Sequence, residues 1–149
     1  MTYLRMFAIS GALLGVFLLG MALTWPELLH SADGFPINRK FIAVSLNDQP
    51  FNYERMPHRP TFEVRPSTMM RFRTHGNGGC NAWSGALTFA SGQSIAWKDI
   101  SVTKATCIAT PTEGPYLKAL LGTTRWRTDR GALILENDKD VIRFMLAPR

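Results

Sequence analysis

Cysteine is nearly absent from this chain: Cys80 and Cys107 are the only two in 149 residues. Two thiols fall short of the four ligands of a structural zinc site. His30, His58 and His75 stand at none of the close spacings to either cysteine that would complete one. Gly-x-Ser-x-Gly, His-Glu-x-x-His and phosphate-loop signatures are missing too, which removes the commonest hydrolase and nucleotide-binding classes. The 17 Lys and Arg outnumber the 11 Asp and Glu. They are dispersed, so the surplus points to an anionic partner and not to nucleic acid. Acidic groups are sparse. Asp99 and Glu113 are isolated and offer no carboxylate pair for acid–base work. Asp138 and Asp140 flank Lys139 in one short turn, far from a calcium loop. Neither a metal nor a cofactor is expected. No fixed-period repeat or low-complexity tract occurs, which excludes a solenoid.

One long apolar run is present. Residues 6–23 are apolar apart from Ser10, and Arg5 precedes them. A cation before an apolar run keeps the amino terminus cytoplasmic and sends the rest of the chain outward. Gly20-Met21-Ala22 offers the small residues a signal peptidase reads. Yet eighteen residues exceed a signal core of about 7–15 and approach the ~20 of a membrane span. Residues 1–25 are therefore a signal peptide or a single transmembrane anchor, and 26–37, with Pro26, Gly34 and Pro36, a linker. Residues 38–149 form one domain of ordinary size.

Within that domain the pattern is strand after strand. Phe41–Leu46 is β-rich, and Asn47-Asp48-Gln49-Pro50 ends it. Thr61–Arg65 alternates, with Phe62 and Val64 inward; Met70–Thr74 alternates, with Met70, Phe72 and Thr74 inward. Ala86–Phe89, Ser94–Ile100 and Arg125–Arg127 continue it, and 132–146 reads as a hairpin about Asn137–Asp140. One short helix is predicted around Tyr116–Leu121, ended by Gly122. Many short strands and one helix make an α+β, mostly-β domain. Alternation turns Arg65, Arg71, Arg73, Arg125, Arg127 and Arg143 outward, either as a solvated sheet face or as an anion-binding surface.

Gly78-Gly79-Cys80-Asn81-Ala82-Trp83-Ser84-Gly85 and Thr103-Lys104-Ala105-Thr106-Cys107 stand apart from this pattern. The glycines and Asn81 predict a tight turn, and Trp83, inside it, is a candidate for the surface. An exported chain with two cysteines usually joins them. Buried free thiols, or a Cys80 nucleophile with His75 as base, are the alternatives. Gly79, Cys80, Asn81 and Gly85, followed by Thr103 and Cys107, resemble the motif of the META domain family, the HslJ-like proteins. The flanking strands, helix and final hairpin agree over roughly Phe41–Leu146. Family members are often lipoproteins, whereas this chain has no cysteine near its amino terminus.

The resemblance implies a curved antiparallel sheet, or half-open barrel, set around or against one helix. It implies a non-enzymatic envelope protein with binding or stress-related roles. The expected location is the periplasm, or the periplasmic face of the inner membrane. A monomer is expected, meeting an anionic envelope lipid or an acidic envelope protein. The alternative from another class is a small thiol-dependent redox protein or enzyme using Cys80 and Cys107.

Overall fold

Alternating side chains leave each strand one apolar face, and the sheet curves until those faces enclose a common core. The computed structural model describes residues 34–67, 72–107 and 111–148. Among them run β1 (Lys40–Leu46), β2 (Gln49–Pro50), β3 (Thr61–Pro66), β4 (Phe72–Asn77), β5 (Ala82–Ala90) and β6 (Ser94–Val102). Helix α1 (Glu113–Gly122) follows, then β7 (Arg125–Asp129), β8 (Ala132–Glu136) and β9 (Val141–Leu146). All pairings are antiparallel and follow chain order from β3 to β9, with β2 outside β1. Because β1 also pairs with β9, the curved sheet returns on itself as a ring. This is the mostly-β, one-helix architecture that the sequence predicts.

Turn chemistry sets the register. Asn47 and Asp48 both take positive φ (51° and 62°), which folds β2 back on β1 through a two-residue turn. Arg130 and Gly131 do the same between β7 and β8. The ring is thinnest between β6 and β7, whose ladder is the single pair Ser94↔Arg125. Two backbone bonds flank that pair, Ile95 N–H to Thr124 O at 2.9 Å and Trp126 N–H to Gln93 O at 3.0 Å. Beyond the seam, the Trp97 indole N–H donates to Thr123 Oγ1 at 3.1 Å, tying the helix C-terminus to β6.

Aromatic rings fill the interior. Phe62 lies stacked on Trp83, 6.1 Å between centroids, and within 5.8 Å of Trp97 and 5.5 Å of Phe144. Trp83 is therefore core and not surface, which corrects the sequence expectation. The reason is local: β5 begins at Ala82, directly after the turn, so strand parity sends Trp83 inward with Leu87. Phe35 is core as well, edge-on to Trp126 and Phe89. Tyr116 and Leu120 of α1 are fully buried, Tyr116 against Phe51. Ala132–Leu135 are all buried, Leu133 and Leu135 in the core and Ile134 outside it, in register between Arg127 and Arg143. The apolar run 6–23 lies outside the described residues; among those described, no helix is long and apolar enough to cross a membrane.

Sterics at two glycines give a contrast that can be measured. A Cβ on Gly76 would collide with the Thr61 carbonyl and stand 2.8 Å from the Trp83 indole nitrogen, whereas one on Gly114 meets nothing within 4 Å. Gly76→Ala should cost about 1–3 kcal/mol. Gly114→Ala should be neutral or stabilise by up to about 1 kcal/mol through helix propensity. Urea unfolding of the two variants checks the difference.

Candidate functional site

The glycine-rich turn is built by its own side chains. Asn77 Oδ1 accepts from the Gly79 N–H at 2.7 Å, and the Gly78 N–H donates to the Asn81 carbonyl at 2.7 Å. Gly79 holds φ at +122°, a conformation that L side chains rarely adopt. Gly78 is small for another reason: a Cβ there would stand 2.7 Å from Glu113 Oε1.

Glu113 is the centre of the site. It occupies the first turn of α1, where the helix dipole favours a negative charge. Its Oε1 accepts from the backbone N–H of Cys80 at 3.0 Å and of Asn81 at 2.6 Å; its Oε2 accepts from Asn81 Nδ2 at 2.9 Å. Asn81 passes the connection on. Its Oδ1 accepts from the Thr103 hydroxyl at 3.0 Å and the Ala105 N–H at 2.7 Å. Thr103 Oγ1 in turn accepts from the Ala82 N–H at 3.1 Å. Partial burial pushes the Glu113 carboxyl up, but the bonds from Asn81 and Cys80 outweigh it and hold the group below its usual range. The carboxylate thus spends three of its roughly four lone-pair sites on one turn.

The two cysteine sulfurs stand at disulfide distance beside this cluster, with Cα atoms 6.0 Å apart. Five of the six motif residues, Gly79, Cys80, Asn81, Thr103 and Cys107, therefore meet at one end of the ring. Gly85 does not. It sits within β5 at the register shift against β6, where a Cβ would press on Ile100 Cδ1. Nothing in the arrangement presents an open reactive group; its donors and acceptors face each other, which makes it a clasp between turn and helix.

The strand arginines form two groups. Arg65 and Arg73 stand opposite each other on β3 and β4, with Arg65 bonded to Glu63 and His75 3.3 Å from the same carboxylate. Arg125, Arg127 and Arg143 lie on β7 and β9, bonded to Asp138 (3.0 Å), Glu136 (3.2 Å) and Asp129 (3.1 Å). Arg71 falls outside the described residues. A groove of about 460 Å³ on this wall is lined by Ser45, Asn47, Asp48, Arg127, Lys139, Val141 and Arg143. Among the described residues no group of three His, Cys, Asp or Glu is placed to hold a metal ion.

Sequence reasoning missed Glu113. Its position just before the helix was visible, because acidic residues favour a first turn. Its partners, 32 and 33 residues upstream, were not. Removing the carboxylate leaves two backbone donors at part-buried positions without an acceptor, so Glu113→Ala should destabilise by about 1–3 kcal/mol at neutral pH. The pH dependence has a definite sign. A carboxyl whose folded pKa lies below its unfolded value of 4.5 adds stability above that value and loses it as pH falls through the folded pKa. The gap between wild type and Glu113→Ala in urea unfolding should therefore shrink steadily below about pH 4.5.

Comparison with known proteins bears on the fold and the family. A family model described as the META domain matches residues 38–149. An NMR structure of a protein from Burkholderia xenovorans shares the fold, with a TM-score of 0.59 at 19% identity, over 76% of this chain and 84% of the other. A second NMR structure matches with a TM-score of 0.56 at 19% identity, over 72% of this chain and 88% of the other. Among curated proteins none matches. With the family model spanning every residue from Asn38 to Arg149, the chain belongs to the META domain family.

Proposed function

We propose that this is a non-enzymatic META domain protein of the cell envelope, carried outside the cytoplasm by its N-terminal apolar segment, and that it binds an anionic partner. The observation that carries the binding reading is the outer-wall groove, whose lining holds three cationic side chains, Arg127, Arg143 and Lys139, against one carboxylate, Asp48. Arg127 and Arg143 each give one nitrogen to a neighbouring carboxylate, through Nε and Nη2 respectively. A guanidinium has five N–H donors, so both keep donors for an incoming anion.

Location outside the cytoplasm draws support from the cysteines. Thiols at disulfide distance fit an oxidising compartment, and a bond there would close a loop between residues 27 apart. A thiol-dependent activity draws less support. Cys80 is buried against the Ala105 carbonyl, and His75 is engaged with Glu63 on the outer face of the sheet.

Fluorescence anisotropy of a labelled hexaglutamate peptide against the full chain tests the binding reading. Binding should weaken as salt rises, and the double substitution Arg127→Glu/Arg143→Glu should reduce it at least about tenfold. Equal affinity for wild type and the double variant at low ionic strength would remove the groove from the proposal.

A further inference from the structure

The ring has a second end, opposite the clasp. β9 runs from Val141, beside the groove, to Leu146, about 17 Å along the wall. There the ring opens into an apolar mouth of about 450 Å³, lined by Phe35, Ile37, Phe41, Leu133 and Leu146, with Arg39 beside them. The volume falls in the ordinary range for sites that take apolar matter. Among the described residues three large apolar side chains are exposed, and two of them, Met145 (44%) and Leu146 (46%), end β9 at this rim. The rim is also cationic. Arg39 and Lys40 are exposed, and the Arg130 side chain, in the turn between Thr128 and the Gly131 of the lining, is 94% exposed. The carboxylates nearby are engaged: Asp129 with Arg143 and Arg130, and Glu63, opposite Lys40, with Arg65 and His75.

The chain enters the fold at this same end. Phe35 and Ile37 line the mouth, and a Cβ on Gly34 would stand 3.7 Å from the Trp126 ring. Ten residues, 24–33, separate Gly34 from the apolar run 6–23. Fully extended they reach at most about 35 Å. If that run lies in a bilayer, the mouth is the part of the domain closest along the chain to its surface.

We propose that the mouth is a membrane-seating surface for a bilayer rich in anionic lipid. Leu146, Met145 and Ile37 enter the interface, while Arg39, Lys40 and Arg130 meet headgroup phosphates. Apolar burial and cationic attraction to anionic lipid add to one another in such contacts. This deepens the envelope reading and rests on residues 6–23 holding the chain at a membrane. It places the lipid contact at the mouth and leaves the Arg127–Arg143 groove on the wall free for another partner.

The test uses the full chain in nanodiscs of phosphatidylcholine alone or mixed with phosphatidylglycerol, read by hydrogen–deuterium exchange. In anionic discs, peptides spanning 35–41, 128–133 and 144–148 should exchange at least about threefold more slowly than in neutral discs, and those spanning 45–48 and 139–141 should not change. The variant Arg39→Glu/Arg130→Glu should lose that difference. Equal exchange at the mouth in both discs overturns the proposal. Extraction of the full chain from anionic vesicles with alkaline carbonate reads the tether separately. Chain released by carbonate but protected at the mouth contradicts the tether alone; chain retained but unprotected contradicts the seating surface alone.

Discussion

Three hydrogen bonds onto one carboxylate hold the helix to the sheet. An isolated helix of ten residues is unstable in water, and α1 carries no side-chain cap on Thr112. Its N-terminus is fixed because Glu113 accepts from Cys80, from Asn81 and from the Asn81 amide. Its C-terminus is fixed by Trp97 on Thr123 and by Asn137 Nδ2 on the Gly122 carbonyl at 2.8 Å. Between these ties Tyr116 and Leu120 are pressed into the aromatic core. The ring needs the helix in turn, since β6 and β7 meet at a single ladder pair. Loss of the carboxylate would therefore loosen helix and seam together.

The clasp also explains why the motif has the composition it has. Gly78 leaves room for the Glu113 carboxylate, and Gly79 takes the positive φ that aims two successive N–H groups at it. Asn81 serves both sides at once, donating to Glu113 and accepting from Thr103 and Ala105. The cysteine pair, at disulfide distance, spans the same two segments as the Asn81 bonds to Thr103 and Ala105, so a covalent tie there would run parallel to the hydrogen-bonded one. With one end of the ring occupied by this structural work, the proposed contacts fall on the outer wall and the open mouth.

Much of the sheet was legible because period-two alternation is local. Phe62 and Val64 of β3, Trp126 of β7, and Ile142 and Phe144 of β9 could each be assigned a face from their immediate neighbours. The turn at Gly78–Asn81 was legible from its glycines. What stayed hidden depended on distance along the chain. Trp83 looked like a turn residue until β5 was seen to start at Ala82. Asn47-Asp48 read as turn residues ending a strand, as they are, but not as a turn that folds Gln49-Pro50 straight back onto it as β2. Phe35 read as linker, because nothing local announces that Trp126 and Phe89 will meet it. Of the site, the motif residues were legible and Glu113 was not, since a carboxylate's partners cannot be read from a sequence position.

A double-mutant cycle between Asn81 and Glu113 asks directly whether the clasp is one coupled unit. Unfolding free energies of Asn81→Ala, Glu113→Ala and the double variant would be measured in urea at neutral pH. A shared carboxylate–amide node predicts that the double variant is less destabilised than the sum of the singles, by about 1 kcal/mol or more. Additivity within about 0.5 kcal/mol would show that the two side chains act independently, and would contradict the clasp as one coupled unit.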